Sequence, residues 1–259
     1  MESNMYLQQI LIQYQARSLN GHTGYILQLK SDLRGWAGGC YLDIIDSGSR
    51  AKGTAISRAS DVDYLVSLSS NCHENNGGLK AIYDSLHDFL RGKFNPVRKQ
   101  NVSFRINLNG LEVDITPARK HAGNTNDHWL HVSKANTWKQ TNIQRHISDI
   151  SNSGRTNEIK IIKIWRELNG LDFPSVYLEY LLLSILSGKS KDPANLADNV
   201  WFIINELKRD SGNPLFSRIV DPANTGNILS DLLTTTEKNT IISRAKVAAQ
   251  ATNWNQIVY

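Results

Sequence analysis

Three aspartates in two apolar segments are candidate metal-binding and catalytic residues. Asp61 and Asp63 stand one residue apart in SDVDYLV, and Asp114 lies inside the apolar segment LEVDITPA. Side chains alternate between the two faces of a strand, so Asp61 and Asp63 are predicted to point the same way. Hard carboxylate oxygens of this kind suit Mg²⁺. If the two strands pair, the carboxylates converge on a site for two metal ions about 3.5–4 Å apart, which could activate a hydroxyl and stabilise a leaving pyrophosphate.

A second candidate element, Gly48-Ser49, stands where the apolar segment YLDIID gives way to a predicted short helix. Glycine lets the backbone approach a phosphate closely, and a helix N-terminus offers free N–H groups and the positive end of a dipole. Arg50 and Lys52 add positive charge nearby. The pattern therefore predicts a triphosphate-binding turn, followed twelve residues after the serine by the first metal ligand.

The order Gly-Ser, Asp-x-Asp and then an Asp inside an apolar strand resembles the DNA polymerase β-like nucleotidyltransferase superfamily. The stretches SGSRAKGTAI, SDVDYLV and LEVDITPA are most similar to the branch that holds cyclic GMP-AMP synthase, the oligoadenylate synthetases and the bacterial anti-phage nucleotidyltransferases (CD-NTases). The resemblance implies an α+β fold, with a mixed central sheet, flanking helices and a C-terminal helical bundle. It also implies that Asp61, Asp63 and Asp114 hold two Mg²⁺ ions, replaceable by Mn²⁺, and that Gly48 and Ser49 bind the donor triphosphate.

Two positions in the second half of the chain extend the resemblance. KIIKIW followed by PSVYLEY is similar to the helices that reach the donor's phosphates in cyclic GMP-AMP synthase-like enzymes, which implies this role for Lys163 and Ser175. A lysine is a good point charge for a triphosphate. The alternative to phosphate binding is that Lys163 is an ordinary surface lysine and that Ser175 caps a helix. DPANTGNILSDL partly resembles a segment of the oligoadenylate synthetases, and we expect Asp221 and Asn227 to cap helices.

The elements that must position these residues are predicted from hydrophobic periodicity. Residues 4–18, 25–37 and 79–91 carry apolar residues at helical spacing. VSFRINL and LEVDITPA alternate apolar and polar residues on either side of Asn109-Gly110, which is the strongest short signal for a β-hairpin. The second strand of this hairpin carries Asp114.

From Ile143 onward the periodicity is helical, with Pro174 and Pro193 at predicted helix starts. We therefore expect N-terminal helices and a nucleotidyltransferase catalytic core in residues 1–150, and an all-α domain in residues 151–259.

The composition is that of a globular protein, and the charge distribution is consistent with anion binding or with a solvated basic face. The net charge is +5, and residues 91–120 hold seven Lys/Arg against two acidic residues, which suits a polyphosphate or a nucleic-acid backbone. Neither a signal peptide nor a membrane-inserting segment is predicted. Cys40 and Cys72 give no disulfide framework, so a reduced cytoplasmic location is expected.

These inferences predict a Mg²⁺-dependent, template-independent nucleotidyltransferase that makes a single-stranded oligonucleotide signal from (d)NTPs, with (d)ATP expected, in bacterial anti-phage defence. The compact chain resembles the small nucleotidyltransferases of anti-phage operons, including the Hailong type, and this resemblance implies the oligonucleotide product and an effector protein encoded alongside. Tyr259, whose phenol stands on a chain end, is a candidate protein primer, and an ordinary packed aromatic is the alternative. The alternatives for function are a cyclic di- or trinucleotide synthase of the CBASS type, small-molecule or protein nucleotidylation, and a non-catalytic nucleotide-binding module.

Overall fold

A computed structural model describes residues 2–57, 61–123 and 125–259 of the chain. They fall into two compact units. The helical unit comprises Met1–Ala16, Gly53–Ala59 and Ser148–Tyr259, and the α/β unit comprises Arg17–Lys52 and Ser60–Ile147. The predicted domain division at residue 150 stays a prediction, and the units differ from it by grouping residues 1–16 and 53–59 with the helical half.

The elements follow one another as the α+β fold class predicts, and that fold class is confirmed. In chain order they are α1 (Glu2–Gln13), α2 (Thr23–Ala37), β1 (Tyr41–Ser47), α3 (Gly48–Ala51), β2 (Val62–Leu68), α4 (Gly78–Arg91), β3 (Arg98–Lys99), β4 (Phe104–Leu108), β5 (Leu111–Lys120), β6 (His128–Val132), β7 (Thr137–Thr141), α5 (Ile143–Ser151), α6 (Thr156–Leu168), α7 (Ser175–Ile185), α8 (Leu196–Leu207), β8 (Val220–Asp221), β9 (Asn224–Ile228) and α9 (Thr235–Ala248). Within the described residues, no helix is long and apolar enough to cross a membrane.

The α/β unit is built on a mixed sheet that has seven strands in the described part of the chain. The strand order is β1-β2-β5-β4-β3, with β6 paired to β5 and β7 paired to β6. The β2–β5 pair is parallel and the other pairs are antiparallel. The β6–β7 hairpin is not among the predicted elements, because its second strand, TWKQT, is polar and largely exposed.

The β4–β5 hairpin forms as the sequence predicts. Asn109 and Gly110 both have positive φ, 53° and 82°, as a two-residue turn of the type that matches strand twist requires. This turn pairs Leu108 with Leu111 and therefore Arg105 with Asp114. A local turn thus fixes which residue faces the third aspartate.

One face of the sheet packs on helix α4. Its stripe Ile82, Tyr83, Leu86 and Leu90 is buried, at the i, i+4, i+8 spacing of one helix face. Phe104, Ile106, Val113 and Ile115 from β4 and β5 belong to the same buried cluster. Fully burying a side chain of this size contributes about 1.5–3 kcal/mol, so the strands that carry the candidate site rest on a well-packed layer.

The helical unit has its own core, formed by apolar faces of α1, α6, α7, α8 and α9. It also contains a small hairpin, β8–β9, so the expectation of an all-α second half is wrong in this segment. Asp221 and Asn227 do not cap helices. Asn227 Nδ2 donates to Asp221 Oδ2 at 3.0 Å, and Asp221 Oδ1 accepts from the Ala223 N–H at 2.9 Å. An aspartate side chain readily closes such a turn on its own backbone.

Cys40 and Cys72 form a disulfide, so the expectation that these cysteines give no disulfide framework is wrong. The pairing follows from topology. Strand β2 returns antiparallel to β1 with Leu68 opposite Tyr41, and the cysteines stand just outside this pair. Their Cα atoms lie 5.5 Å apart, within the range that a disulfide spans.

Candidate active site

The parallel pairing of β2 with β5 places Asp63 directly beside Asp114. Asp61 stands at the residue before β2 begins. The Asp114 carboxylate is buried, with 9% of the residue exposed. Asp114 is far from Asp61 and Asp63 in sequence, and the pairing of β2 with β5 brings it to this pair within the α/β unit.

A cationic side chain lies among these carboxylates. Arg105 Nη2 is 2.6 Å from Asp61 Oδ2 and 2.8 Å from Asp114 Oδ2. Arg105 Nε also donates to Asp114 Oδ1 at 2.8 Å, and Nη1 lies 2.8 Å from Glu112 Oε2. One guanidinium thus contacts three carboxylates, in the two-pronged geometry that makes Arg–carboxylate pairs strong.

Sequence reasoning missed Arg105, which it counted only as one charge in a basic stretch. The signal was present in the predicted hairpin. A two-residue turn at Asn109-Gly110 makes Leu108 face Leu111, and counting back three residues on each side pairs Arg105 with Asp114. Register arithmetic alone could have found this contact.

A second polar layer fixes Asp114. Gln100 Nε2 donates to Asp114 Oδ1 at 3.1 Å. The Gln100 amide is itself held, since Ser103 Oγ donates to its Oε1 at 2.7 Å, and the Tyr83 hydroxyl donates to the Gln100 carbonyl at 2.7 Å. Asp114 is therefore oriented before any ligand binds.

The site carries more negative charge than Arg105 compensates. Burial, followed by the charges of Asp114 and Asp61, raises the pKa of Asp63 to about 6. Burial also raises the pKa of Asp61, although Arg105 opposes that shift. The hydrogen bond to Asp114 is the largest cause that raises the pKa of Arg105. A raised carboxylate pKa means that the ionised form is destabilised, and an added cation would relieve it.

The donor set fits a hard divalent cation, because it consists of carboxylate oxygens on rigid strands. In this structure the cationic group in contact with both Asp61 and Asp114 is the Arg105 guanidinium. In the described ranges 2–57, 61–123 and 125–259, no three His, Cys, Asp or Glu side chains are grouped so that they could hold a metal ion. Coordination of two Mg²⁺ ions by Asp61, Asp63 and Asp114 therefore stays a prediction.

Gly48 packs against the Asp63 side chain. Its φ is +66°, and a Cβ built on it would overlap the Asp63 carboxylate. Both facts require glycine here, since positive φ and close approach are what a side chain prevents. Lys52 is buried, and its charge opposes the rise in the pKa of Asp63 that burial and the neighbouring carboxylates cause. The Gly48-Ser49 turn therefore packs directly against Asp63.

The other predicted phosphate ligands of this turn are Ser49 and Arg50. Ser49 lies in the four-residue helix α3. Arg50 Nη2 donates to the Arg17 carbonyl at 2.9 Å, and burial, followed by the charge of Arg17, lowers the pKa of Arg50. Nucleotide binding by Gly48, Ser49, Arg50 and Lys52 stays a prediction.

Lys163 and Ser175 belong to the helical unit. Lys163 is buried, 2% exposed, and its Nζ donates to Glu179 Oε1 at 2.7 Å and to Thr54 Oγ1 at 2.9 Å. Lys163 is therefore not a surface lysine. Ser175 Oγ accepts from Arg166 Nη1 at 3.0 Å. Their binding to the donor's phosphates stays a prediction, and a phosphate would compete with Glu179 for Lys163.

The chain end is anchored while its last ring is exposed. The Tyr14 hydroxyl donates to the Tyr259 carbonyl, and Tyr6 does the same to Val258. The Tyr259 residue is 58% exposed. Its role as a primer stays a prediction.

Comparisons with solved structures identify the fold. The chain matches the E. coli MS115-1 CdnC in its complex with HORMA-deltaN, with a TM-score of 0.73, 21% identity, and coverage of 98% of this chain and 96% of that one. The same protein has been solved with ATP. The Bradyrhizobium diazoefficiens CD-NTase CdnG in complex with GTP matches with a TM-score of 0.73, 13% identity, and 94% and 89% coverage.

A third match is the Elizabethkingia meningoseptica CdnE cyclic dinucleotide synthase with GTP and Apcpp, with a TM-score of 0.60, 15% identity, and 91% and 92% coverage. No protein-family model and no curated protein sequence matches the chain. The matched structures extend over nearly the whole chain, so the polymerase β-like fold predicted from the sequence is confirmed. The chain has the fold of the bacterial CD-NTases.

Proposed function

We propose that this protein is a metal-dependent nucleotidyltransferase that joins nucleoside triphosphates into a cyclic oligonucleotide signal of anti-phage defence. The observation that carries the proposal is the pairing of Asp63 with Asp114 on parallel strands, with Asp61 linked to Asp114 through Arg105. Asp63 beside Asp114, with Asp61 linked to Asp114 by Arg105 and a glycine turn against Asp63, suits transfer of a nucleotidyl group better than it suits a passive binding module. Such a module has no need to keep mutually repelling acids.

In this proposal each candidate site residue has a defined role. Asp61, Asp63 and Asp114 hold the divalent ions. Bound Mg²⁺ would help to activate the acceptor hydroxyl and neutralise the leaving pyrophosphate. Gln100 keeps Asp114 in one orientation, and Gly48 leaves room for the Asp63 carboxylate beside the turn that binds the triphosphate. Lys163 and Ser175 are proposed as further contacts of the donor's phosphates.

The cyclic product is preferred because a matched structure is named as a cyclic dinucleotide synthase. Nucleoside triphosphates as substrates are supported by the ATP and GTP in the matched complexes. A cytoplasmic location and an effector that responds to the product complete the proposal.

The test is to incubate the purified chain with each α-labelled NTP and dNTP, singly and in pairs, with Mg²⁺ or Mn²⁺. A single species that keeps its label after phosphatase treatment supports a cyclic product. A ladder on a denaturing gel indicates the linear oligonucleotide instead, and labelled protein indicates priming from Tyr259 or protein nucleotidylation. Absence of pyrophosphate release with every substrate would contradict the proposal.

The matched variants are the double change Asp61→Asn and Asp63→Asn against Asp46→Asn. Asp46 lies in the same unit and pairs with Lys30 at 3.3 Å, so its change removes a carboxylate away from the triad. We expect the double variant to lose transfer while it keeps its circular dichroism spectrum, and the control to remain active. Activity retained in the double variant would remove the metal-binding assignment.

A further inference from the structure

The Arg105 guanidinium uses its donors on carboxylates. Nε and Nη2 contact Asp114, Nη2 also contacts Asp61, and Nη1 contacts Glu112, all at 2.6–2.8 Å. The Nη2 atom contacts one oxygen of Asp61 and one oxygen of Asp114. Asp61 and Asp114 are two of the three carboxylates that would hold a divalent ion in the proposed function.

We infer that Arg105 is a built-in counter-ion that a divalent cation must displace from Asp61 and Asp114, so that Arg105 sets the metal concentration at which the site loads. The inference rests on the proposed function, because it concerns the same carboxylates. A carboxylate lone pair that accepts a hydrogen bond from Nη2 cannot at the same time coordinate a metal ion.

The charges explain why such a counter-ion is built in. Without it, the negative charges of Asp61, Asp63, Glu112 and Asp114 would be carried on β2, on β5 and on the residue before β2 with no guanidinium between them. Like charges that lie close together in a partly buried site repel one another. Arg105 lowers that repulsion in the metal-free protein, because its guanidinium contacts three of these carboxylates at 2.6–2.8 Å. It therefore stabilises the fold and, by the same contacts, opposes the metal.

The geometry gives Arg105 a place to remain when the metal binds. Its side chain is 21% exposed, and the Glu112 side chain is 44% exposed, so this end of the contact lies toward solvent. Nη1 can keep Glu112 while Nη2 releases Asp61. The apparent metal affinity is then the intrinsic affinity multiplied by the fraction of molecules in which Arg105 has withdrawn.

The test measures Mn²⁺ binding without nucleotide, from the electron paramagnetic resonance signal of the free ion, in wild type, Arg105→Gln, Arg105→Lys and Arg98→Gln. Arg98 is the matched control, because it is exposed and pairs with Arg105 across β3 and β4. Its change removes one positive charge from the neighbouring strand.

We expect Arg105→Gln to bind Mn²⁺ about tenfold more tightly than wild type, because it removes charge-assisted hydrogen bonds that compete with the ion. The Mn²⁺ affinity of Arg105→Lys should lie between those of wild type and Arg105→Gln. An ammonium keeps the positive charge but lacks the planar guanidinium that contacts two carboxylates at once. Arg98→Gln should stay within about twofold of wild type. In EDTA, Arg105→Gln should melt at a lower temperature than wild type.

Equal or weaker Mn²⁺ binding by Arg105→Gln, relative to the Arg98 control, overturns the inference. If that variant does not fold, Arg105→Lys must bind more tightly than wild type, or the inference fails. Failure of the proposed function looks different. In that case Asp61→Asn with Asp63→Asn binds as much Mn²⁺ as wild type, or neither wild type nor any Arg105 variant binds the ion, and this last result overturns both.

Discussion

Arg105 lies opposite Asp114 across the β4–β5 hairpin, and two hydrogen bonds of 2.8 Å tie its guanidinium to both oxygens of that carboxylate. The contact is set by a two-residue turn, so it forms with the hairpin and needs no ligand. Asp63 lies on the other side of Asp114 in the sheet. Its own paired residues in the neighbouring strands are Ser47 and Asp114, and neither is an arginine. The two aspartates therefore stand in different electrostatic states, and this difference can be measured.

Replacing Asp63 by Asn should stabilise the metal-free protein at high pH. Its pKa is about 6 in the folded state and about 3.9 in an unfolded chain. The folded protein thus binds the proton more tightly, and stability is lost as pH rises from about 4 through 6. The neutral amide avoids this loss, so Asp63→Asn should gain about 2–3 kcal/mol at pH 8 and about 1 kcal/mol at pH 4.5.

Urea unfolding in EDTA at the two pH values measures this difference, with Asp46→Asn as the control for removal of a carboxylate. The prediction is contradicted if Asp63→Asn raises the free energy of unfolding equally at both pH values, or lowers it at pH 8. Either result would show that the ionised carboxylate is not destabilised by its surroundings.

Replacing Gly48 by Ala should impair activity more than stability alone explains. Both Gly48 and Gly78 have positive φ, +66° and +59°, but a Cβ on Gly78 meets nothing within 4 Å, whereas one on Gly48 overlaps the Asp63 carboxylate. Each change should cost about 1–2 kcal/mol from the left-handed backbone. Gly48→Ala should in addition displace Asp63 and lower kcat/KM about a hundredfold, as displacements near 1 Å do.

Steady-state pyrophosphate release and thermal melting, measured on both variants, separate the two effects. Equal activity in Gly48→Ala and Gly78→Ala would mean that the close approach to Asp63 has no part in the chemistry.

The buried Lys163–Glu179 pair should behave as a unit. Its two charged atoms are 2.7 Å apart, with side chains 2% and 0% exposed. Glu179→Leu leaves a buried ammonium without this partner and should cost about 3–5 kcal/mol, whereas Lys163→Met combined with Glu179→Leu should cost much less. A double-mutant cycle by urea unfolding gives the coupling energy, and additive single effects would rule out a strong pair.

Reduction of the Cys40–Cys72 disulfide should destabilise the protein. The bond closes a loop of 32 residues, which in the chain-entropy account contributes about 3–4 kcal/mol. We expect dithiothreitol to lower the urea midpoint of unfolding of wild type. A variant with Cys40→Ser and Cys72→Ser should have this lower midpoint from the start, and dithiothreitol should not change it. Two thiols titrated in the denatured, unreduced protein would contradict the pairing.

Local patterns carried much of the prediction. The Asn109-Gly110 turn, the alternation around it and the Gly48-Ser49 turn are each encoded within about ten residues, and each forms where it is predicted. The convergence of Asp63 with Asp114 needed one further assumption, that their strands are neighbours, and the parallel pairing supplies it.

Long-range partners were harder to predict because no local pattern encodes them. The Cys40–Cys72 bond depends on how β2 returns along β1. The Lys163–Glu179 pair depends on the packing of α6 with α7. A lysine at helical spacing among isoleucines predicts a surface position or a ligand contact, and only the tertiary fold shows a buried partner.

The grouping of residues 1–16 and 53–59 with residues 148–259 means that the polypeptide passes from one unit to the other four times. A fragment that stops at residue 150 would leave Leu7 and Ile10 of α1 without the α6 and α8 side chains that share their cluster. Exposed apolar surface of this kind favours aggregation. Genetic dissection by simple truncation is therefore unsuited to this protein, and point substitutions in the intact chain are the way to assign its parts.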